Sequence, residues 1–211
     1  MKPRGSNLWR VSFLLAAGLL LVGGPRHPDG TMAEMLAHRD WIPAHALMLA
    51  GFVALLIGML TYGHGRALPD RTRRWLRLAT IGTALQMVEM AFHTAAVVDQ
   101  ANLVAGRATP VLTTHLWLAV IVYPLFALTL IGFIVAGARD RVLGSWWIAW
   151  MGILGALAHG ASAPLVVLLD VEGARILFRF LMLLALWVLL TGLWPLRITA
   201  DASRREAPTH A

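Results

Sequence analysis

The fold of this 211-residue chain is decided by one long apolar stretch, residues 110–137, with the sequence PVLTTHLWLAVIVYPLFALTLIGFIVAG. It contains no Asp, Glu, Lys or Arg, and it exceeds the roughly 20 residues that an α-helix needs to cross a bilayer. A strand would be shorter, and the strands of a membrane barrel would alternate apolar and polar residues. The stretch therefore predicts a transmembrane helix.

Five further stretches share this character, in a chain that is 58% hydrophobic and 14% charged. They predict an all-α, polytopic membrane bundle of about six helices, with one domain over residues 1–198 and a short polar cytoplasmic tail over 199–211. The first stretch could be a signal peptide, but no clean cleavage motif follows it, so we expect a retained helix. The predicted spans are approximately 8–23, 41–63, 75–98, 110–137, 145–169 and 175–196.

The distribution of Lys and Arg predicts the orientation of the bundle, because cytoplasmic loops carry an excess of these residues. Thirteen lie on one side of the spans and five on the other, so we expect both termini on the cytoplasmic side. The expected location is a bacterial-type plasma (inner) membrane. The basic residues behind the net charge of +7 are therefore interpreted as a topology signal that lies beside anionic lipid headgroups. No nucleic acid is expected as a partner. Expected partners are the lipid bilayer and either membrane subunits or further copies of the chain. The thirteen are Lys2, Arg4, Arg10, Arg66, Arg71, Arg73, Arg74, Arg77, Arg139, Arg141, Arg197, Arg204 and Arg205; the five are Arg26, Arg39, Arg107, Arg175 and Arg179.

Four spans each contribute one histidine, and all four histidines fall toward the outer face. Ionisable residues at lipid depth are costly and usually functional, and a neutral imidazole is a common ligand of metals and haem. We therefore predict an intramembrane cofactor or metal site on the outer side of the bundle. Its candidate ligands are His45, His93, His115 and His159, while His27, His38, His64 and His210 are interpreted as loop residues, of which His27 and His38 could supplement the site.

The third span adds a polar stripe, because Gln86, Glu89 and His93 are spaced to share one helical face. Glu89 is a candidate metal ligand, a hydrogen-bond partner of a ligating imidazole, or a proton relay. In the fifth span the segment 159–164, HGASAP, predicts an interruption at Pro164, which can lie beside a cavity. Arg179, near the outer end of the sixth span, is a candidate clamp for a carboxylate such as a haem propionate, or it snorkels to headgroups.

The chain has no cysteine, which excludes thiolate metal sites and covalent haem attachment. The leading hypothesis is a protein that binds haem b or a transition metal (Cu, Fe or Zn), as a candidate component of a membrane oxidoreductase. One alternative is a proton or cation transporter subunit, and another is an accessory structural subunit of a larger complex. A membrane hydrolase that pairs Ser162 with His115 is a further alternative.

Overall fold

The computed structural model describes residues 7–64 and 67–194, and over these ranges the chain is helical and contains no strand. The predicted tail 199–211, residues 195–198 and six of the basic residues used for the orientation (Lys2, Arg4, Arg66, Arg197, Arg204 and Arg205) lie outside the described residues. The α-helices are α1 (Leu8–Gly23), α2 (Met32–Ala37), α3 (Trp41–Gly63), α4 (Asp70–Ala95), α5 (Gln100–Val104), α6 (Pro110–Arg139), α7 (Trp146–Ala163) and α8 (Leu181–Leu193).

Six helical segments of the described chain are long and apolar enough to cross a bilayer, which confirms the predicted all-α bundle. Between a third and a half of the most apolar window of each segment is buried inside the protein. Large apolar side chains cover the outside of the bundle, including Leu128 and Trp147, which are 63% and 85% exposed. A surface of this kind is compatible with hydrocarbon rather than water, so the protein is a multi-pass integral membrane protein in contact with lipid.

Two spans differ from the sequence prediction at their ends. Helix α4 begins at Asp70 rather than near residue 75, because its first turn is charged and lacks the apolar signal of the remainder. The sixth span begins as a 3₁₀-helix, Glu172–Phe180, and becomes α-helical only at Leu181. The predicted interruption of the fifth span is present, since α7 ends at Ala163 and Pro164–Leu168 forms a π-helical turn.

The long helices form a closed ring in chain order, in which α1, α3, α4, α6, α7 and α8 each pack against the next and α8 packs against α1. Fully buried aromatic side chains fill the ring, among them Phe13, Phe52, Phe126 and Trp187. Close helix contact depends on small residues: a Cβ added to Gly155 of α7 would lie 2.6 Å from the backbone nitrogen of Leu184. The interior of the ring is therefore filled by side chains where these residues lie.

A small apolar cap covers one end of the ring. Helix α2 begins with a capping box, in which the side chain of Thr31 accepts from the backbone of Glu34 and the carboxylate of Glu34 accepts from the backbone of Thr31. Leu36 of α2 packs with Trp41 and Leu112 at the starts of α3 and α6. This cap holds the starts of α3 and α6 beside the end of α4, which is where the predicted histidines lie.

Candidate metal centre

Three of the four predicted histidines meet at the capped end of the bundle. His45 lies one turn into α3, His93 near the end of α4 and His115 one turn into α6. The ring of His93 contacts both of the others, with its centroid 4.3 Å from that of His45 and 4.0 Å from that of His115. His45 and His115 are buried, and the side chain of His93 is 13% exposed. The alternating direction of the helices thus brings three spans' histidines to one level.

His27, which the sequence argument treated mainly as a loop residue, joins this cluster. Its ring centroid lies 4.8 Å from that of His45 and 5.9 Å from that of His93. It follows the 3₁₀ turn Gly24–Arg26 and precedes Pro28, so prolines on both sides restrict the loop. That Pro-x-His-Pro pattern beside a span was the sequence feature that could have indicated a fixed position for His27. Burial lowers the pKa of His27 below its usual value, which favours the neutral, ligating form.

Backbone carbonyls determine which nitrogen of two rings carries the proton. Nδ1 of His27 lies 2.8 Å from the carbonyl oxygen of Pro28, and Nδ1 of His45 lies 2.5 Å from that of Trp41. A carbonyl only accepts, so each Nδ1 donates and each neutral ring keeps its lone pair on Nε2. Nε2 of His45 is buried and has no hydrogen-bond partner within the described chain. Metal-binding histidines are commonly oriented in this way.

Glu89 lies one turn before His93 on α4 and is completely buried. Its Oε2 accepts from the side-chain amide of Gln86 at 2.9 Å, and its Oε1 accepts from Nδ1 of His115 at 2.7 Å. The same Oε1 lies 3.9 Å from Nδ1 of His93, which is buried and has no hydrogen-bond partner in the described residues. The hydroxyl of Tyr123 also lies beside this carboxylate. The predicted stripe of Gln86, Glu89 and His93 therefore forms a connected polar network with α6.

Two groups of three side chains place their ligand atoms within 4.8 Å of one another. One group consists of His27, His45 and His93, and the other of Glu89, His93 and His115. Both include His93, so they are two halves of one cluster. Trp41 forms a wall beside it, with its ring centroid 4.1 Å from that of His45, and its indole nitrogen donates to the carbonyl of Thr94 at 3.3 Å.

His159 belongs to the same half of the bundle but to neither group. Its ring stacks on Tyr123 of α6 at 4.2 Å between centroids and an interplanar angle of 24°. Both of its ring nitrogens are buried without a hydrogen-bond partner in the described part of the chain. The hydroxyl of Ser162 donates to the carbonyl of His159 at 2.6 Å, so the described structure does not show the Ser162–His115 pair of a hydrolase.

Arg179 lies on the 3₁₀-helix of the sixth span and contacts the loop that carries His27. Its guanidinium is 3.1 Å from Oδ2 of Asp29, and Arg175 donates to the carbonyl of Gly30 at 3.1 Å. Both arginines are largely exposed. The structure therefore places Arg179 on a carboxylate of the protein itself, at the edge of the cluster.

Asp99 was not among the predicted site residues. It lies in the 3₁₀ turn Ala96–Asp99 after α4, is buried, and accepts from the backbone nitrogen of Leu112 at 2.9 Å. Thr109, which precedes α6, makes no capping hydrogen bond through its side chain. Asp99 thus caps α6 from a neighbouring element and orients the turn that carries His115.

Comparison with known families, with characterised proteins and with solved structures finds no match for this chain.

Proposed function

We propose that this membrane protein binds one transition-metal ion through Nε2 of His27, His45 and His93, with Glu89 as the neighbouring carboxylate. The observation that carries the proposal is the shared orientation of the imidazoles. His27 and His45 each commit Nδ1 to a backbone carbonyl, and Nδ1 of His93 is on the side of Glu89. In neutral His27 and His45, the remaining nitrogen, Nε2, therefore carries the lone pair.

The spacing of the donors suits an ion. Zinc–nitrogen bonds of about 2.0–2.1 Å place neighbouring donors of a tetrahedral site roughly 3.3 Å apart. One ring nitrogen of each of the three histidines lies within 4.8 Å of a ring nitrogen of the other two, so small side-chain rotations would bring three nitrogens to bonding distance. A bound ion would also satisfy the buried Nε2 of His45, which costs free energy if it stays unpaired.

Charge supports the same arrangement. Three neutral imidazoles leave the charge of a divalent ion uncompensated, which is costly inside a membrane. Glu89 supplies a carboxylate next to His93, held by Gln86 and His115. A carboxylate behind a ligating histidine fixes the ring and raises its basicity. We therefore assign Glu89 and His115 to the support of the ion rather than to direct ligation.

The donor set favours copper, iron or zinc, since imidazole suits all three and the chain lacks cysteine. Three protein donors leave a position for solvent or substrate, as in catalytic rather than structural sites. Copper or iron in this site would supply one-electron chemistry, which would make the protein a component of a membrane oxidoreductase. From the Lys and Arg distribution we place the site on the outer side of a bacterial-type inner membrane.

Haem b fits the cluster less well than an ion. Two axial imidazoles face each other across the porphyrin plane, whereas His93 is in ring contact with both His45 and His115. Arg179, the candidate for a propionate, pairs instead with Asp29. Haem therefore remains the second candidate occupant, distinguished by its absorbance.

Metal titration tests the proposal. Protein purified in detergent and stripped with a chelator should bind one Co²⁺ per chain, with visible bands typical of nitrogen coordination, and the stoichiometry can be checked by mass spectrometry of the metal. His45→Ala and His93→Ala should each weaken Co²⁺ binding at least tenfold. His38→Ala is the matched control, because His38 is an exposed histidine on the same side of the protein.

The outcomes separate the candidates. One strong Co²⁺ site that depends on His45 and His93 supports the proposal. A Soret band after expression with a haem precursor, lost in His93→Ala, would replace the ion with haem. Equal effects of His38→Ala and His45→Ala, or no stoichiometric binding at all, would overturn the assignment. If an alanine variant fails to fold, His45→Gln keeps the side-chain volume and decides the question.

A further inference from the structure

Polar side chains continue from Glu89 toward the middle of the membrane. Gln86 lies about 4.5 Å below Glu89 along α4, and Tyr123 lies about 12 Å below His115 along α6, at 1.5 Å per residue. The Tyr123 hydroxyl lies beside Gln86 and Glu89, and the Tyr123 ring stacks on His159 of α7. These polar side chains form a track, defined here as Gln86, Tyr123 and His159, that crosses three neighbouring helices of the ring, α4, α6 and α7.

Three polar atoms on this track have no hydrogen-bond partner in the described chain. They are Oε1 of Gln86 and both ring nitrogens of His159. Gln86 is fully buried and His159 is 3% exposed, so bulk water does not reach them at the surface. Buried polar groups in proteins nearly always have partners, and ordered water supplies these where the protein does not.

The chemistry of these groups selects the ligand. A neutral imidazole presents one donor and one acceptor, and the amide oxygen of Gln86 is an acceptor. A metal ion is disfavoured, because His159 belongs to neither group of candidate ligands. An anion is disfavoured by the adjacent carboxylate of Glu89. A small neutral molecule that both donates and accepts fits all three atoms, and water is the smallest such molecule.

We propose that α4, α6 and α7 enclose an internal water site lined by Gln86, Tyr123 and His159, continuous with Glu89. This site lies below the histidine cluster and does not depend on the occupant of that cluster. It extends the polar interior of the protein from its outer end to the middle of the bilayer, as a path for water and protons that begins at Glu89.

Because the chain has no native cysteine, single cysteines test the proposal cleanly. His159→Cys should react with a small, water-soluble methanethiosulfonate reagent added to the detergent-solubilised protein. Ala185→Cys is the matched control, since Ala185 is equally buried but lies on α8 among apolar side chains. Reaction at 159 and not at 185 supports the water site. No reaction at 159, or equal reaction at both positions, would overturn it.

A second measurement leaves the histidine in place. In protein labelled with ¹⁵N-histidine, the ring N–H of His159 is assigned by the signal that disappears in His159→Gln. Exchange of this proton with water on the timescale of the NMR mixing period is expected. Protection over hours would show a dry site and overturn the proposal, even if the cysteine variant did not fold.

Discussion

Glu89 of α4 accepts a hydrogen bond from Nδ1 of His115 of α6 at 2.7 Å, between two helices that pack directly against each other. The bond connects two spans at the depth where lipid would otherwise leave a carboxylate without a partner. It also bears on how the histidine cluster is supported, because the same carboxyl oxygen lies 3.9 Å from Nδ1 of His93.

Replacement of this carboxylate should weaken metal binding without removing the ligands. Glu89→Gln keeps the shape but loses the negative charge, and loss of a partner of this kind typically costs about 10–100-fold in metal affinity. Co²⁺ titration of the purified protein measures the change. Glu34→Gln, an exposed carboxylate in the capping box of α2, should leave the affinity unchanged. An unchanged affinity in Glu89→Gln would remove Glu89 from the site.

Asp99 should stabilise the protein through the start of α6. Asp99→Ala leaves the buried backbone nitrogen of Leu112 without its acceptor, and loss of a helix cap costs about 1 kcal/mol. A lower melting temperature in detergent is therefore expected. Thr109→Ala is the control, because the side chain of Thr109 makes no capping bond. Equal melting temperatures for the two variants would contradict this role of Asp99.

The contact between α7 and α8 requires a glycine. Gly155→Ala places a Cβ 2.6 Å from the backbone nitrogen of Leu184, so the helices must separate, and overpacking costs about 1–3 kcal/mol. A reduced yield of monodisperse protein and a lower melting temperature should follow. Gly18→Ala provides the comparison, since within the described residues no atom of a packing neighbour lies within 4 Å of its added Cβ. That substitution should leave stability unchanged or raise it, by up to about 1 kcal/mol of helix propensity.

Asp140 should make stability depend on pH. Its Oδ2 accepts from the hydroxyl of Thr72 at 2.6 Å and its Oδ1 pairs with Arg71 at 3.0 Å. The hydrogen bond from Thr72 contributes most to a pKa that lies below the usual value. A carboxyl whose pKa is lowered by folding stabilises the folded state above its unfolded pKa of about 3.9 and loses this contribution as the pH falls through the folded value.

The stability difference between wild type and Asp140→Asn should therefore be constant from pH 7 to 5 and shrink below pH 4. Thermal melts in detergent at several pH values measure it. Asp70→Asn is the control, because Asp70 is highly exposed and its distance to Arg73 is longer, at 3.6 Å. If the stability difference between wild type and Asp140→Asn grew as the pH fell, the stabilising role of the Asp140 carboxylate would be contradicted.

Arg179 should matter little for metal binding. Its pair with Asp29 is exposed on both sides, and exposed pairs contribute about 0–1 kcal/mol. Arg179→Gln should therefore change Co²⁺ affinity by less than threefold, and Arg175→Gln should behave alike. Loss of a bound cofactor in Arg179→Gln alone would instead assign Arg179 to a carboxylate of that cofactor.

The sequence predicted three of the cluster's histidines for a simple geometric reason. His45, His93 and His115 lie at the corresponding ends of helices that run in alternating directions, so counting along each helix gives their depth. Depth alone does not give rotation about the helix axis. His159 lies deeper than the other three, α7 is apolar on nearly every side, and no sequence pattern shows that its ring would face Tyr123.

The contributions of loop residues to the cluster could not be predicted from the sequence. His27 follows one short 3₁₀ turn and Asp99 ends another, and the positions of these turns follow from packing against other elements. Polar residues in loops are ordinary, so Asp99 carried no sequence signal and His27 carried only that of its flanking prolines. Their contribution became visible only from the cap that holds α2 against the starts of α3 and α6.

The amino-acid sequence by itself determined that this chain forms six apolar helices with a set of histidines toward one face, because the cost of polar groups in hydrocarbon is local to each span. The tertiary structure decided which of these histidines meet. Ligand geometry depends on the rotation of each helix and on the side chains across its interface, and these follow from the packing of the whole ring. Hence His27 joins His45, His93 and His115 in one cluster, Glu89 contacts that cluster through His115, and His159 lies apart on Tyr123.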